Sequence, residues 1–258
     1  MRFRKRFSIC LFFALFSALP ACDFTDYFEY SPNVTKVENE YKSLNAKSLS
    51  LLQTEADEKP VRIAVIADSH SYYGDLEYVV SVINAMDDID FVVVAGDITE
   101  KGLLKEFEWS ADVLKKLNVP FLVNIGNHEC LGNGRSIYSE MFGPESFSFL
   151  FSGVRITFLN LNIWECGISD ISWIEDYMKG GEKTKIVVSH TPFNTVPFSG
   201  EQRELYDDIL QRNGVGLSVH GHAHSYAQES DFDGKGFDYL RVDQVRSHAV
   251  AVIDISED

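Results

Sequence analysis

His220, His222 and His224 stand at every second position of the stretch VHGHAHS, residues 219–225, in a chain that has only 7 histidines. Imidazoles crowded in this way suit metal binding or proton relay, and the neighbouring polar residues decide between these and plain core hydrogen bonding. Elsewhere, short apolar runs end in Asp68-Ser69-His70, Gly96-Asp97, Gly126-Asn127-His128-Glu129 and Ser189-His190. Carboxylate oxygen, amide oxygen and imidazole nitrogen are ligands for Mn, Fe, Zn and similar ions, and the absence of cysteine from the set argues against a structural thiolate zinc site. Taken singly, each ending has an ordinary structural explanation. A strand-end Asp caps a helix, a lone His is hydrogen-bonded in a core, and Gly or Asn occupies a turn. Those explanations do not account for five such endings converging on one edge of a sheet.

The elements that would bring them there are legible as apolar runs. VRIAVIA (61–67), FVVVAG (91–96), FLVNIG (121–126), VRITFLNL (154–161), KIVVSH (185–190), VGLSVHG (215–221) and AVAVIDI (249–255) are short and β-branched, most of them too continuously apolar for a sheet wet on one face. Between them run helical periods, one through Leu76, Val79, Val80, Ile83 and Met86, another through Leu104, Phe107, Ala111, Leu114 and Leu117. The pattern predicts an α/β domain over 60–258, long enough to bury about 70% of its unfolded surface. In open α/β sheets ligands bind beyond the carboxyl ends of the strands, which is where these polar endings fall.

The order Asp-x-His, Gly-Asp, Gly-Asn-His-Glu, His, Gly-His-x-His resembles the calcineurin-like metallophosphoesterase superfamily. Asp68, His70, Gly96, Asp97, Gly126, Asn127, His128, Glu129, His190, Gly221, His222 and His224 carry the resemblance, which runs from about residue 61 to the end. It implies an α/β fold in four layers, an αββα sandwich of two mixed sheets flanked by helices. It also implies two divalent or trivalent metal ions (Mn, Fe or Zn), one held by Asp68, His70, Asp97 and His224 and the other by Asp97, Asn127, His190 and His222. The two-metal clamp would activate a hydroxide to hydrolyse a phosphomonoester or phosphodiester, with Asp97 shared between the ions. His128 would contact the phosphate without ligating metal, and Asp68 would help orient its ring. His220 is expected to be a structural neighbour, and Gly221 to let the backbone approach the metals closely.

Other readings fit less well. His-x-His-x-His superficially resembles the metallo-β-lactamase motif, but Ser225 and Tyr226 stand where that motif needs Asp and His. A serine hydrolase built on Ser189 and His190 fails because adjacent strand residues face opposite sides. The alternative from another class is a non-catalytic metal-binding lipoprotein scaffold with a phosphoesterase fold; such proteins usually lose ligands, and none is missing here. For the substrate mouth the sequence offers Tyr72, Tyr73, Arg135, Phe193, Asn194 and Tyr226, with Arg135 the natural phosphate grip.

Ahead of the domain, residues 1–21 open with Arg2, Arg4, Lys5 and Arg6, run apolar from Phe7 to Leu19 and end in small residues, the order of a secretory signal. Leu19-Pro20-Ala21-Cys22 resembles the bacterial lipobox, which would make Cys22 the acylated first residue and the lipid bilayer a partner. Asp23 resembles an inner-membrane retention signal, so the expected place is the cell envelope, periplasmic or on the outer face of the inner membrane. Residues 22–59 are polar and are expected to form a tether, with helix possible over Val37 to Leu52. Loss of the signal would remove four positive charges and take the net charge from −16 to −20. That argues against nucleic-acid binding by a basic surface, and it leaves a bound metal as the way to attract an anionic ester. No protein partner is implied. Of 4 cysteines, Cys130 and Cys166 remain beyond Cys10 and Cys22. They could pair outside the cytoplasm, although two free thiols are the simpler expectation.

Overall fold

Runs such as VRIAVI and FVVV need apolar cover on both faces, and the computed structural model, which describes residues 30–52 and 59–256, shows what supplies it. One sheet has the order β10-β1-β2-β3, made of β1 (Val61–Ile66), β2 (Phe91–Val94), β3 (Phe121–Val123) and β10 (Ala251–Ile255). Its neighbour has the order β4-β5-β6-β7-β9-β8, from β4 (Phe147–Phe151), β5 (Val154–Leu159), β6 (Thr184–Ser189), β7 (Leu217–His220), β8 (Ala227–Glu229) and β9 (Asp238–Arg241). In the first sheet β1, β2 and β3 are parallel, with Ile63 beside Phe91 and Val92 beside Phe121, and β10 closes antiparallel on β1. In the second, β5, β6, β7 and β9 are parallel, with antiparallel β4 and β8 at the edges.

Three apolar layers hold this together. Between the sheets lie Ile63, Val65, Val93, Leu122, Ile156, Phe158, Val188 and Val219. Outside the first sheet, Leu76, Val79 and Ile83 of α2 (Tyr73–Asn84) and Leu104, Phe107 and Leu114 of α3 (Leu104–Leu114) pack on Ala64, Ile66, Val92 and Val94. α4 (Gly134–Met141) joins that layer through Ile137 and Tyr138, while α5 (Gly200–Arg212) covers the second sheet with Tyr206, Ile209 and Leu210. The result is the αββα sandwich that the resemblance implies. All seven sequence-predicted strands are present, and both sets of parallel strands end at one rim.

Within the segment 22–59, expected as a tether, residues 37–52 depart from that expectation. They are part of the domain: Val37, Leu44 and Leu52 are buried, the last two bounding the helix α1 (Leu44–Leu52). Asn45 of α1 donates through Nδ2 to the Val123 carbonyl and accepts the Val123 N–H at Oδ1, both at 2.9 Å. The physical reason is that β3 is an edge strand, whose free backbone groups need a partner. The simpler expectation of two free thiols is also corrected, because Cys130 and Cys166 form a disulfide with Cα atoms 5.4 Å apart. The signal segment 1–21 and Cys22 lie outside the described residues. No helix among the described residues is long and apolar enough to cross a membrane.

Candidate functional site

At the shared rim, the backbone itself is bent to aim side chains inward. Asp68, His70, Asp97, His222 and His224 all have positive φ, from 43° to 71°. Each such non-glycine residue costs about 1–2 kcal/mol, and it persists only where the surroundings fix it. The fixing contacts are backbone bonds between loops: Asp68 N–H to Gly96 O at 3.0 Å, and His70 N–H to Asp97 O at 2.9 Å. Gly126 and Gly221 make the crowding possible. A Cβ on Gly126 would strike Asp97, and one on Gly221 would lie 2.7 Å from Asp68 Oδ2.

The ring orientations follow from their outer partners. His70 Nδ1 donates to Thr99 O at 3.1 Å, His190 Nδ1 to Ala95 O at 2.7 Å, and His128 Nδ1 to Glu100 O at 2.6 Å. A carbonyl only accepts, so these Nδ1 atoms carry the hydrogen and each Nε2 presents a lone pair to the rim. His190 Nε2 faces Asp97 Oδ2 at 3.0 Å and Asn127 Oδ1 at 3.2 Å, and the same Asn127 oxygen meets His222 Nδ1 at 2.9 Å. On the other side, His70 Nε2 lies 3.2 Å from His224 Nε2, which is 3.3 Å from Asp68 Oδ1, and His70 Nε2 is 3.9 Å from Asp97 Oδ2. Nitrogen and oxygen acceptors gathered this closely at a largely buried rim suit a cation between them. Two three-residue sets have ligand atoms close enough to hold one, Asp68 with His70 and His224, and Asp97 with His190 and His222; a third joins His70, Asp97 and His128.

The electrostatics agree. Burial opposes a charge on His190, yet the Asp97 carboxylate outweighs it and raises the imidazole to about 10; in turn His190 holds Asp97 well below the usual carboxylate range against its own burial. Without a metal, a proton supplies the positive charge that the site demands. The donor set, all oxygen and nitrogen, fits Mn, Fe or Zn.

Every residue expected as a ligand, Asp68, His70, Asp97, Asn127, His190, His222 and His224, is thus brought to one rim, with Asp97 central. His128 stands at its edge, partly exposed, with Nε2 4.0 Å from Asp97 Oδ2 and its own N–H donated to Asp97 Oδ1 at 3.0 Å. Its ring is held by the Glu100 carbonyl rather than by Asp68, whose oxygens take the His222 N–H at 2.9 and 3.1 Å. His220 is buried in a network of its own: Nδ1 donates to Ser189 O, and Nε2 accepts from Ser218 Oγ, which meets the Tyr206 hydroxyl. Burial pushes His220 down to about 3 and keeps it neutral. Arg135 is not a free phosphate grip, because its guanidinium is clamped on both Glu145 oxygens and on Cys166 O. Phe193 is buried against Tyr206.

Two supports have roles that the sequence does not show. Glu129 is fully buried and accepts four donors: the N–H groups of Asp97 and Gly126 at Oε2, and the N–H and hydroxyl of Thr99 at Oε1. Asn162 bridges the sheets, donating to Ile125 O and accepting from Thr191 Oγ1, one residue before Gly126 and one after His190. The only signal for Asn162 was a polar residue just beyond an apolar run.

Comparison with known proteins adds independent support. A family model described as calcineurin-like phosphoesterase matches residues 61–226. A Coxiella burnetii protein described as a probable cyclic nucleotide phosphodiesterase is 25% identical over 199 residues, covering 64% of this chain and 76% of its own length. Among solved structures, a dimetal phosphatase from Danio rerio superposes with a TM-score of 0.59 at 15% identity, over 77% of this chain and 93% of the other. A purple acid phosphatase from yellow lupin seeds gives 0.58 at 13% identity, over 78% of this chain and 48% of the other. At those identities the two structures establish the fold.

Proposed function

Because the chain belongs to the calcineurin-like phosphoesterase family, we propose that it is a two-metal hydrolase of phosphoric esters, with phosphodiesters the favoured class. The observation that carries this reading is the set of lone pairs from Asp68, His70, His224, Asp97, Asn127, His190 and His222 turned toward one another at a single rim. When bound, the ions would neutralise phosphoryl oxygens and acidify a water. The chain's own work is then positioning. Asp97 would sit between the two ligand sets, the carbonyls of Thr99 and Ala95 fix the tautomers of His70 and His190, and Glu100 O fixes that of His128. With Nδ1 already donating to Glu100, a proton carried on His128 Nε2 is the one placed to reach a leaving oxygen.

The diester preference is supported by charge. Glu100 Oε2 lies 3.6 Å from His70 Nδ1, Glu165 Oε1 lies 3.5 Å from Asn127 Nδ2, and Arg135 is already engaged. Carboxylates flanking the centre repel the second negative charge of a monoester dianion more than the single charge of a diester. The printed description of the Coxiella burnetii relative points the same way.

The test uses the full chain loaded with Mn, Fe or Zn separately and assayed on mono- and bis-nitrophenyl phosphate. Turnover should favour the diester, and His128→Ala should lower it about 10²-fold or more while retaining both ions. Equal, negligible rates in the wild type and the variant would speak for a non-catalytic scaffold; higher monoester turnover would remove the diester preference. We further propose that the chain is anchored in the cell envelope through lipidated Cys22, on the lipobox-like Leu19-Pro20-Ala21-Cys22. Cys22→Ser should leave the protein in the unlipidated form by mass spectrometry and shift it from the membrane to the soluble fraction. An unchanged mass would rule the anchor out.

A further inference from the structure

A side-chain amide has one end that suits a cation and one that does not. Asn127 turns Oδ1 toward His190 Nε2 and His222 Nδ1, while Nδ2 points away and donates to Glu165 Oε1 at 3.5 Å. A flip of this amide would put two hydrogens where the metal-facing oxygen stands. A carboxylate on the far side resists the flip, since it accepts and cannot donate.

Glu165 is exposed, so core packing does not hold it in place. Its chain neighbour does. Cys166 is bonded to Cys130, which lies three residues from Asn127 on the short turn His128–Cys130. The bridge therefore ties the loop that carries Glu165 to the segment that carries Asn127, across a sequence separation of 36 residues. Arg135 of α4 adds a hydrogen bond to Cys166 O at 3.1 Å.

We propose that Glu165 is a positioning residue that sets the Asn127 amide, and that the Cys130–Cys166 disulfide holds Glu165 against it. The proposal rests on the reading above, in which Asn127 ligates one of two ions. A dithiol reductant would open the bridge: each sulfur gains one electron and one proton, the S–S bond becomes two thiols, and the reductant is oxidised to its own cyclic disulfide. The loop then keeps Glu165 near Asn127 only through contacts such as that of Arg135.

The experiment is titration of the metal-stripped full chain with Mn, followed by calorimetry. In the oxidised wild type two ions should bind. Glu165→Ala should weaken one binding step about tenfold or more and leave the other unchanged, since outer partners of this kind are worth about 10–100-fold in affinity. Glu165→Gln keeps an acceptor and should stay within about threefold of wild type. Reduction of the wild type by the dithiol should reproduce the one-step weakening, and reduction of Glu165→Ala should add nothing further. Unchanged binding in Glu165→Ala, equal weakening of both steps, or a Gln variant no better than Ala would overturn the positioning role. Reduction without effect on the wild type would overturn the part played by the disulfide. An oxidised wild type that takes up fewer than two ions would overturn the functional reading itself, and this inference with it.

Discussion

Asp97→Ala should abolish phosphoester turnover, by about 10³-fold or more, and should cost the chain at least one of its two ions. Asp97 alone among the carboxylates stands in reach of His190, His70 and His128 together: Oδ2 is 3.0 Å from His190, 3.9 Å from His70 and 4.0 Å from His128, while Oδ1 anchors the His128 backbone. Removing the carboxylate leaves the imidazoles of both sides without the negative charge between them. In the metal-free protein His190 would lose the largest of the interactions that lift it to about 10, leaving only Asp68 and the Ala95 carbonyl to oppose burial, so its pKa should fall. Neither the proton nor the metal would then be held as in the wild type. Asp97→Asn is the sharper comparison, because it keeps the shape and one acceptor oxygen but removes the charge. Turnover should fall nearly as far in Asn as in Ala. Elemental analysis after dialysis, read beside the rates, decides the matter: two ions per chain in Asp97→Ala would contradict the shared-ligand assignment whatever the activity.

How much of this was legible beforehand varies from residue to residue for physical reasons. Strands β1, β2, β3, β5, β6, β7 and β10 are covered on both faces or lie at the inter-sheet seam, so their runs are continuously apolar and stand out. The ligands were legible because they follow those runs directly. β4 was missed although its signal was present: Ser152 and Gly153, both at positive φ, form the two-residue turn of a hairpin between FSFLF and VRITFL. β8 and β9 are short, three and four residues; β9 is placed by pairing with β7 and β8 by pairing with β9, rather than by any pattern of their own. The docking of α1 was illegible for a different reason. Its key contact is one asparagine on the edge of β3, and a lone Asn in a polar stretch looks like solvated chain. The disulfide was open because two cysteines 36 residues apart carry no information on distance.

Glu129 shows why a motif letter can be read without its role. It matches the last position of Gly-Asn-His-Glu, yet it is fully buried and its carboxylate accepts from Asp97, Thr99 and Gly126 instead of joining the candidate ligand sets. Burial first, then the charge of Asp97, raises its pKa to about 7, and donors from Thr99 and Gly126 pull the other way. Those donors come from the loop after β2 and the loop after β3, so the carboxylate joins the segment that carries Asp97 to the one that carries Asn127 and His128. Glu129→Ala leaves two backbone N–H groups beside Asp97 and Gly126, and both donors of Thr99, without their acceptor in a buried site. An unsatisfied buried donor costs about 1–3 kcal/mol, and water entering the gap would recover part, so a loss of about 3–5 kcal/mol is expected out of the 5–15 kcal/mol typical of a domain. Glu129→Gln should recover little of it, because its amide has one acceptor oxygen and must turn an NH₂ group toward donors. The measurement is the urea midpoint of the metal-stripped, oxidised chain, with metal retention of the folded protein beside it. A Gln variant with the wild-type midpoint would mean that the four contacts do not need a carboxylate. A large drop in stability with both ions retained would place Glu129 in the scaffold alone. The expected outcome is that both fall together, since the residue that joins the two loops also sets the separation of Asp97 and Asn127.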